Sequence, residues 1–464
     1  MSKFLNSTIT VFYLSVIVFS ALAHGAVEAW SQAISSVGII IVLMLWVLKA
    51  CLEKQWTIRI PAPVWPLLAF IVLGLSQSLT WTTERGQRGS LSLDVEATRA
   101  AVLWMVLLGL AFLIAANIFT SRERITLLST FFVAFGLALA LFALLQQATW
   151  NGHFYWWRAI DAEKITSPFG PFVHHGHFAG YLEMLLPIPI AFLFVHQIRL
   201  EKKLLYGFAA MIMGVSVVAS LARGGMLSLA VQLIFLTTTG FWMTRLRNEN
   251  APQSVTSRAS MKTVIAICGA ILIGVLWIGT DTILNRIVEP ENSATPITQN
   301  FVIERGWIWR DTFTMFRANP FIGVGFGAFE TAFPIYGHGD GSLMVNAAHN
   351  DYLQLLAEGG LLGAGLMMWF VIAVMRILLA SLRSHDSRIQ ALALGSATGM
   401  IGILVHSCFD FNLQLPSHSL LFLTIVAAMT GLKASETKCT VSAVGTSKPQ
   451  PAYFEMAERL SERS

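Results

Sequence analysis

The sequence predicts an all-α, polytopic membrane protein of about twelve transmembrane helices, and three observations predict it. Long apolar runs recur along nearly the whole chain of 464 residues. Charged residues make up only 12% of it, against roughly 25% in an ordinary soluble domain. The mean hydropathy is +0.64, and no soluble core could absorb so many all-apolar helices.

The runs lie at about 8–23, 33–50, 62–79, 101–119, 126–147, 178–197, 204–221, 225–243, 262–280, 353–375, 389–407 and 417–432. Crossing the hydrocarbon takes about 20 residues, so several helices must extend beyond these limits. The run at 204–221 is short and that at 389–407 has polar ends. The apolar signal is continuous rather than alternating, which argues against a barrel. The first run lacks a clear cleavage site after it and reads as a retained helix.

Charge sets the orientation. With the N-terminus in the cytoplasm, 21 of the 31 basic residues fall on the cytoplasmic side and 10 on the other, the positive-inside pattern. Both termini are then cytoplasmic, in an inner membrane. The outer segments are about 80–100, 148–177, a tight turn near Arg223, a long stretch 281–352 between the ninth and tenth helices, and a turn at 408–416. One bundle spans 1–432, and the polar stretch 433–464 reads as a flexible cytoplasmic tail.

Other classes fall away. The net charge of +5 is spread over short loops without a basic block, which gives no footing for nucleic acid. Cys51, Cys268, Cys408 and Cys439 have neither CxxC nor zinc-ligand spacing and read as apolar fillers.

The stretch 281–352 is longer than packed helices need for a connection. Within it, Ile303, Trp307, Ile308, Phe313 and Met315 are spaced as on an amphipathic helix, which Asn319-Pro320 ends. Gly323-Val324-Gly325-Phe326-Gly327 follows. It lacks the Lys-Ser/Thr of a nucleotide loop, so close backbone packing is the better reading.

Charged and polar groups at membrane spans require a reason. His174, His175 and His177, with Glu183 further into the next helix, suit either capping and polar packing or the lining of a substrate cleft. They come without an accompanying carboxylate or Cys at metal-ligand spacing, so no metal is assigned. Arg223 before two glycines is either an interfacial anchor or a phosphate ligand. Arg305 and Arg310 have acidic neighbours and form either ion pairs or a basic face. His349 stands at the start of an apolar helix that Asn350 or Asp351 would cap, and its normal pKa suits proton transfer. Asp351, two residues on, is the candidate for orienting it. His406 and Asp410, in a fifth polar spot with Pro416, are placed to pack beside it.

At these residues the sequence resembles the O-antigen ligase and polymerase superfamily of bacterial membrane glycosyltransferases. The likeness is strongest over about 301–365. It rests on Arg305 and Trp309, on Asn319-Pro320-Phe321-Ile322-Gly323-Val324-Gly325, and on His349-Asn350-Asp351-Tyr352-Leu353-Gln354 with Glu358-Gly359-Gly360-Leu361. Segments 170–187 and 406–416 resemble recurring pieces of bacterial members, so the likeness covers about 160–420. The sequence departs from many relatives at His175-Gly176, where they read Asn or Arg next to Asn.

The resemblance implies transfer of a glycan from undecaprenyl diphosphate on the periplasmic face. The acceptor would be lipid A-core, a protein or another lipid-linked glycan. No metal or cofactor is implied. It assigns Arg223, Arg305 and His349 to catalysis, with Arg310 a near alternative for Arg305. Arg310, His174, His175, His177, Glu183, Asp351, His406 and Asp410 are then expected around the substrates. A small-anion transporter would need charges near mid-membrane and repeat symmetry between the halves, and the sequence has neither. A non-catalytic polysaccharide assembly factor is the other alternative.

Overall fold

A computed structural model describes residues 2–54, 58–82, 88–159, 168–195, 199–248, 301–338, 344–384 and 386–445, with position 269. Its helices are α1 (Ser2–Leu22), α2 (Ala29–Glu53), α3 (Val64–Gln77), α4 (Val95–Ile118), α5 (Arg122–Ala148), α6 (His175–Leu185), α7 (Pro187–Leu193), α8 (Leu200–Ala219) and α9 (Arg223–Asn248). There follow α10 (Phe301–Ala318), α11 (Phe329–Tyr336), α12 (Asp351–Leu382), α13 (Ser387–His406) and α14 (Pro416–Gly445). Helices cover eleven of the twelve predicted runs. The run at 262–280 lies outside the described residues.

Among the described residues, eight helical stretches are long and apolar enough to cross a membrane: α1, α2, α4, α5, α6 joined to α7, α8, α12 and α13. Two shorter apolar helices, α3 and the first part of α14, accompany them. The chain is thus an all-α, multi-pass membrane protein. Two features were not predicted. Small antiparallel hairpins pair Thr80–Thr82 with Arg88–Ser90, and His153–Phe154 with Arg158–Ala159, in the connections between α3 and α4 and between α5 and α6. The last helix also runs to Gly445, past the hydropathy limit at 432, because no Gly or Pro interrupts 432–444 and its Ala, Lys and Glu favour helix.

Local chemistry explains the breaks. Pro187 has no N–H to give to the carbonyl of Glu183 four residues back. That carbonyl instead accepts from Gln232 Nε2 of α9 at 2.9 Å. Ser121, Asp94 and Asp386 cap α5, α4 and α13 through their side chains. Around this core α13 packs against α9, α7 and α6, α14 against α4, and α10 against α12.

The amphipathic reading of 303–317 is met by α10, which ends at Ala318 just before Asn319-Pro320. Ile308 and Met315 are buried as expected. Phe313 is exposed, and the buried face carries Asp311 and Thr312 instead. Burying Asp311 is offset by two hydrogen bonds at 2.9 Å, from the backbone N–H and the Nδ1 of His338.

The glycine segment after α10 does pack by its backbone. Helix α12 breaks at Gly360, which has φ +61°. Four backbone bonds cross the gap: Val324 N–H to Ala357 O, Gly325 N–H to Glu358 O, Leu361 N–H to Pro320 O and Leu362 N–H to Phe321 O, at 2.8–3.1 Å. Gln77 of α3 clamps the joint, donating to the carbonyls of Ile322 and Glu358 and accepting from Phe326 N–H. Gly323, at φ +69°, lies so close that a methyl there would overlap the Glu358 carbonyl.

Gly323→Ala should therefore destabilise the protein by about 3 kcal/mol or more, combining left-handed backbone strain with overpacking. Thermal unfolding of the purified variant measures this. An unchanged midpoint would mean that the segment shifts freely on α12.

Candidate functional site

Three separate pieces of chain, around residues 177, 305 and 349–351, meet at the turn 407–415 between α13 and α14. Each is placed by bonds to that turn's backbone or side chains. Asp351 N–H donates to Ser407 O at 2.9 Å, and Asn350 Nδ2 donates to Cys408 O at 3.0 Å. Arg305 Nη1 donates to Phe409 O at 2.7 Å. The ring of Phe411 lies between His177 and His349, with centroids 5.1 and 5.0 Å away.

His349 sits just before α12 with φ +50°, a left-handed conformation uncommon outside Gly and found among other residues mostly at Asn, Asp and His. Its Nδ1 is 3.5 Å from Oδ1 of Asp410, and its side chain is 27% exposed while Asp410 is buried. The carboxylate beside His349 is thus Asp410. Asp351 is turned the other way: it accepts from Ser407 Oγ at 2.7 Å, Leu413 N–H at 3.3 Å and Gln414 Nε2 at 3.1 Å. The chain reverses at His349, so adjacency in sequence points Asp351 into the turn rather than at the imidazole. Asn350, not Asp351, caps α12, accepting from Tyr352 and Leu353 N–H.

Burial pushes the Asp410 carboxyl up, but the hydrogen bond with His349 and the neighbouring His177, His174 and His406 outweigh it. They hold the group well below the usual carboxylate range. Asp410 also brings to the 174–177 histidines the carboxylate that local spacing lacked. His174 Nδ1 caps α6 by accepting from Gly176 N–H at 3.1 Å, and burial pushes the His174 imidazole down to about 4. His175 stacks on His174 at 4.3 Å. Gly176 makes room for the turn: a Cβ there would stand 2.5 Å from Asp410 Oδ2.

Beneath this level Glu183 and His406 form a buried pair, His406 Nδ1 lying 3.2 Å from Glu183 Oε1. An ionisable pair within a bundle is costly unless each partner satisfies the other. It touches the start of α9, where a Cβ at Gly224 would stand 2.7 Å from the His406 ring. Arg223 opens that helix and is exposed. Burial pushes the Arg305 guanidinium down, with Asp410 opposing and Arg223 adding to the shift, so the two arginines share one electrostatic neighbourhood. Arg310 stands apart: it is 65% exposed and pairs with Asp311 at 3.3 Å.

Most of the residues singled out in the sequence therefore converge. Arg223, Arg305, His349, Asp410, His174, His177, Glu183 and His406 surround one region, with Asp351 bracing it from behind. Sequence reasoning missed that the 407–415 turn is its hub. It also missed the amide chain from Ala348 N–H through Gln354 to Gln414 and Glu358. The density of polar residues in His406-Ser407-Cys408-Phe409-Asp410-Phe411-Asn412 was the available signal.

Comparison with known proteins gives one family: residues 208–368 match the O-antigen ligase family, Wzy_C. The match takes in Arg223, Arg305, Arg310, His349 and Asp351, and is consistent with membership of that superfamily. It covers less than half of the chain, and the 174–183 and 406–410 groups lie outside it. A comparison with curated proteins finds no match.

Proposed function

We propose that the region around Asp410 and His349 is the active site of a membrane glycosyltransferase of the O-antigen ligase type. The observation that carries this reading is one imidazole, oriented by a buried carboxylate, beside two arginines at the head of an apolar bundle. The donor is a glycan on a prenyl diphosphate such as undecaprenyl diphosphate. The acceptor is a hydroxyl of lipid A-core, of a protein or of another lipid-linked glycan. Arg223 and Arg305 hold the diphosphate, and three helices, α6, α9 and α12, begin beside the site with their positive ends.

In the reaction the acceptor oxygen attacks the anomeric carbon. The bond from that carbon to the diphosphate oxygen breaks, and the diphosphate leaves with its electron pair. His349, held through Nδ1 by Asp410, receives the hydroxyl proton on Nε2. Direct attack inverts the anomeric carbon. The guanidinium groups stabilise charge on the leaving diphosphate, the task a metal performs elsewhere. The 174–177 histidines and Phe411 line the acceptor side.

Purified protein with a prenyl-diphosphate glycan and an acceptor tests the reading. Transfer with inversion should be observed and should persist in chelator. Donor turnover that depends on one added metal, or no transfer to any hydroxyl acceptor class, would overturn it.

The reading also places the site in the periplasm, and the 21-to-10 division of basic residues supports this. In a cysteine-free background, Met344→Cys, at a side chain 81% exposed, should react with an impermeant thiol reagent added to intact cells. Lys202→Cys should react only after the membrane is opened. The reverse pattern would invert the topology.

A further inference from the structure

We propose that His174, His177 and Asp410 form a site for a transition-metal dication of the zinc class, and that its occupation inhibits the protein. One ligand atom from each residue lies within 4.8 Å of the others. Two imidazoles and one carboxylate are a zinc-type ligand set, with the fourth position left open. Calcium and magnesium require more oxygens than this cluster offers.

The surroundings suit a cation bound through directional bonds. The ring nitrogens of His177 make no hydrogen bond among the described residues. The His177 carbonyl is held by His418 Nε2 at 2.7 Å, which fixes the backbone from which the ring projects. The absent side chain of Gly176 leaves open the space between His174 and Asp410: a Cβ there would stand 3.0 Å from His174 Nδ1 and 2.5 Å from Asp410 Oδ2. Arg305 acts against any cation, which disfavours ions held by charge alone and leaves those that bond to imidazole.

Occupation has a geometric consequence. Zinc ligands bind at about 2.0–2.2 Å, which puts tetrahedral ligand atoms roughly 3.3 Å apart. The cluster must contract to reach this. Contraction by movement of Asp410 would disturb its contact with His349, already 3.5 Å. The inhibitory half of the proposal rests on His349 acting as proposed above. The binding half does not.

The test uses the purified full chain, stripped with chelator and titrated with Zn²⁺ by calorimetry. Transfer is measured in parallel, each variant against its own zinc-free rate. One site is expected in the parent, weakened at least about tenfold in His174→Gln and in His177→Gln. It should persist when His153 and the exposed His338, both outside the cluster, are replaced by Gln. One equivalent of Zn²⁺ should slow transfer by the parent about tenfold or more and leave the His174→Gln rate close to its zinc-free value. Equal zinc binding in parent and both cluster variants overturns the site, and binding without slowing overturns the inhibition. If zinc binds at these residues while no transfer occurs under any condition, the site stands and the transferase reading fails.

Discussion

His349→Ala should lower glycan transfer by roughly a hundredfold or more while the protein still inserts, accumulates and binds the lipid-linked donor. The imidazole is 27% exposed and is braced by the buried Asp410 at 3.5 Å. The diphosphate contacts assigned to Arg223 and Arg305 are untouched by the change. Asp410→Asn should follow it in direction but to a smaller extent, because the amide can still contact Nδ1 but no longer favours the tautomer with Nε2 free to accept. Donor binding and transfer are measured separately on the same preparation. Near-normal transfer by His349→Ala, or a loss matched by lost donor binding, would remove His349 from the chemistry.

Arg305→Lys and Arg223→Lys should each lower transfer at least about tenfold, although both keep the charge. A guanidinium presents a planar fork to phosphate oxygens, and an ammonium does not. Arg305 has a further constraint: Nη1 is committed to Phe409 O at 2.7 Å, so the same side chain that would meet the diphosphate also ties α10 to the hub. Lysine cannot do both. For Arg223 the loss should appear mainly in donor affinity, and for Arg305 in turnover as well. Full activity of both variants at normal protein level would falsify the diphosphate assignment. Arg310→Lys is the control, since Arg310 pairs with Asp311 and its replacement should be nearly silent.

Helices and their approximate limits were legible because a membrane helix must satisfy its own backbone and expose apolar side chains, and both demands are local. Arg223 and His349 can be singled out in the sequence because a polar residue at the end of an apolar run has few structural excuses, and Arg305 through the family resemblance. What joins them cannot. His349 and Asp410 are brought together by the packing of α12 beside α13, and no local pattern reports that. The same holds for Glu183 and His406, and for the meeting of the 174–177 histidines with Asp410. Asp351 shows the opposite error: it adjoins His349 in sequence, and the left-handed turn at His349 sends it elsewhere.

The docking of residues 320–325 into the break of α12 also bears on how this molecule can be taken apart. A membrane helix interrupted at Gly360 cannot be left bare, because lipid offers its open carbonyls and amides nothing to bond. Four of those partners come from residues 320–325. The 319–327 stretch is thus a structural member of the bundle. Cut out and produced alone it would lose the surface that shapes it, and a bundle deprived of it would carry an unsealed helix. Chimaeras that exchange outer segments between such proteins should function only when α12 and the 319–327 stretch travel together.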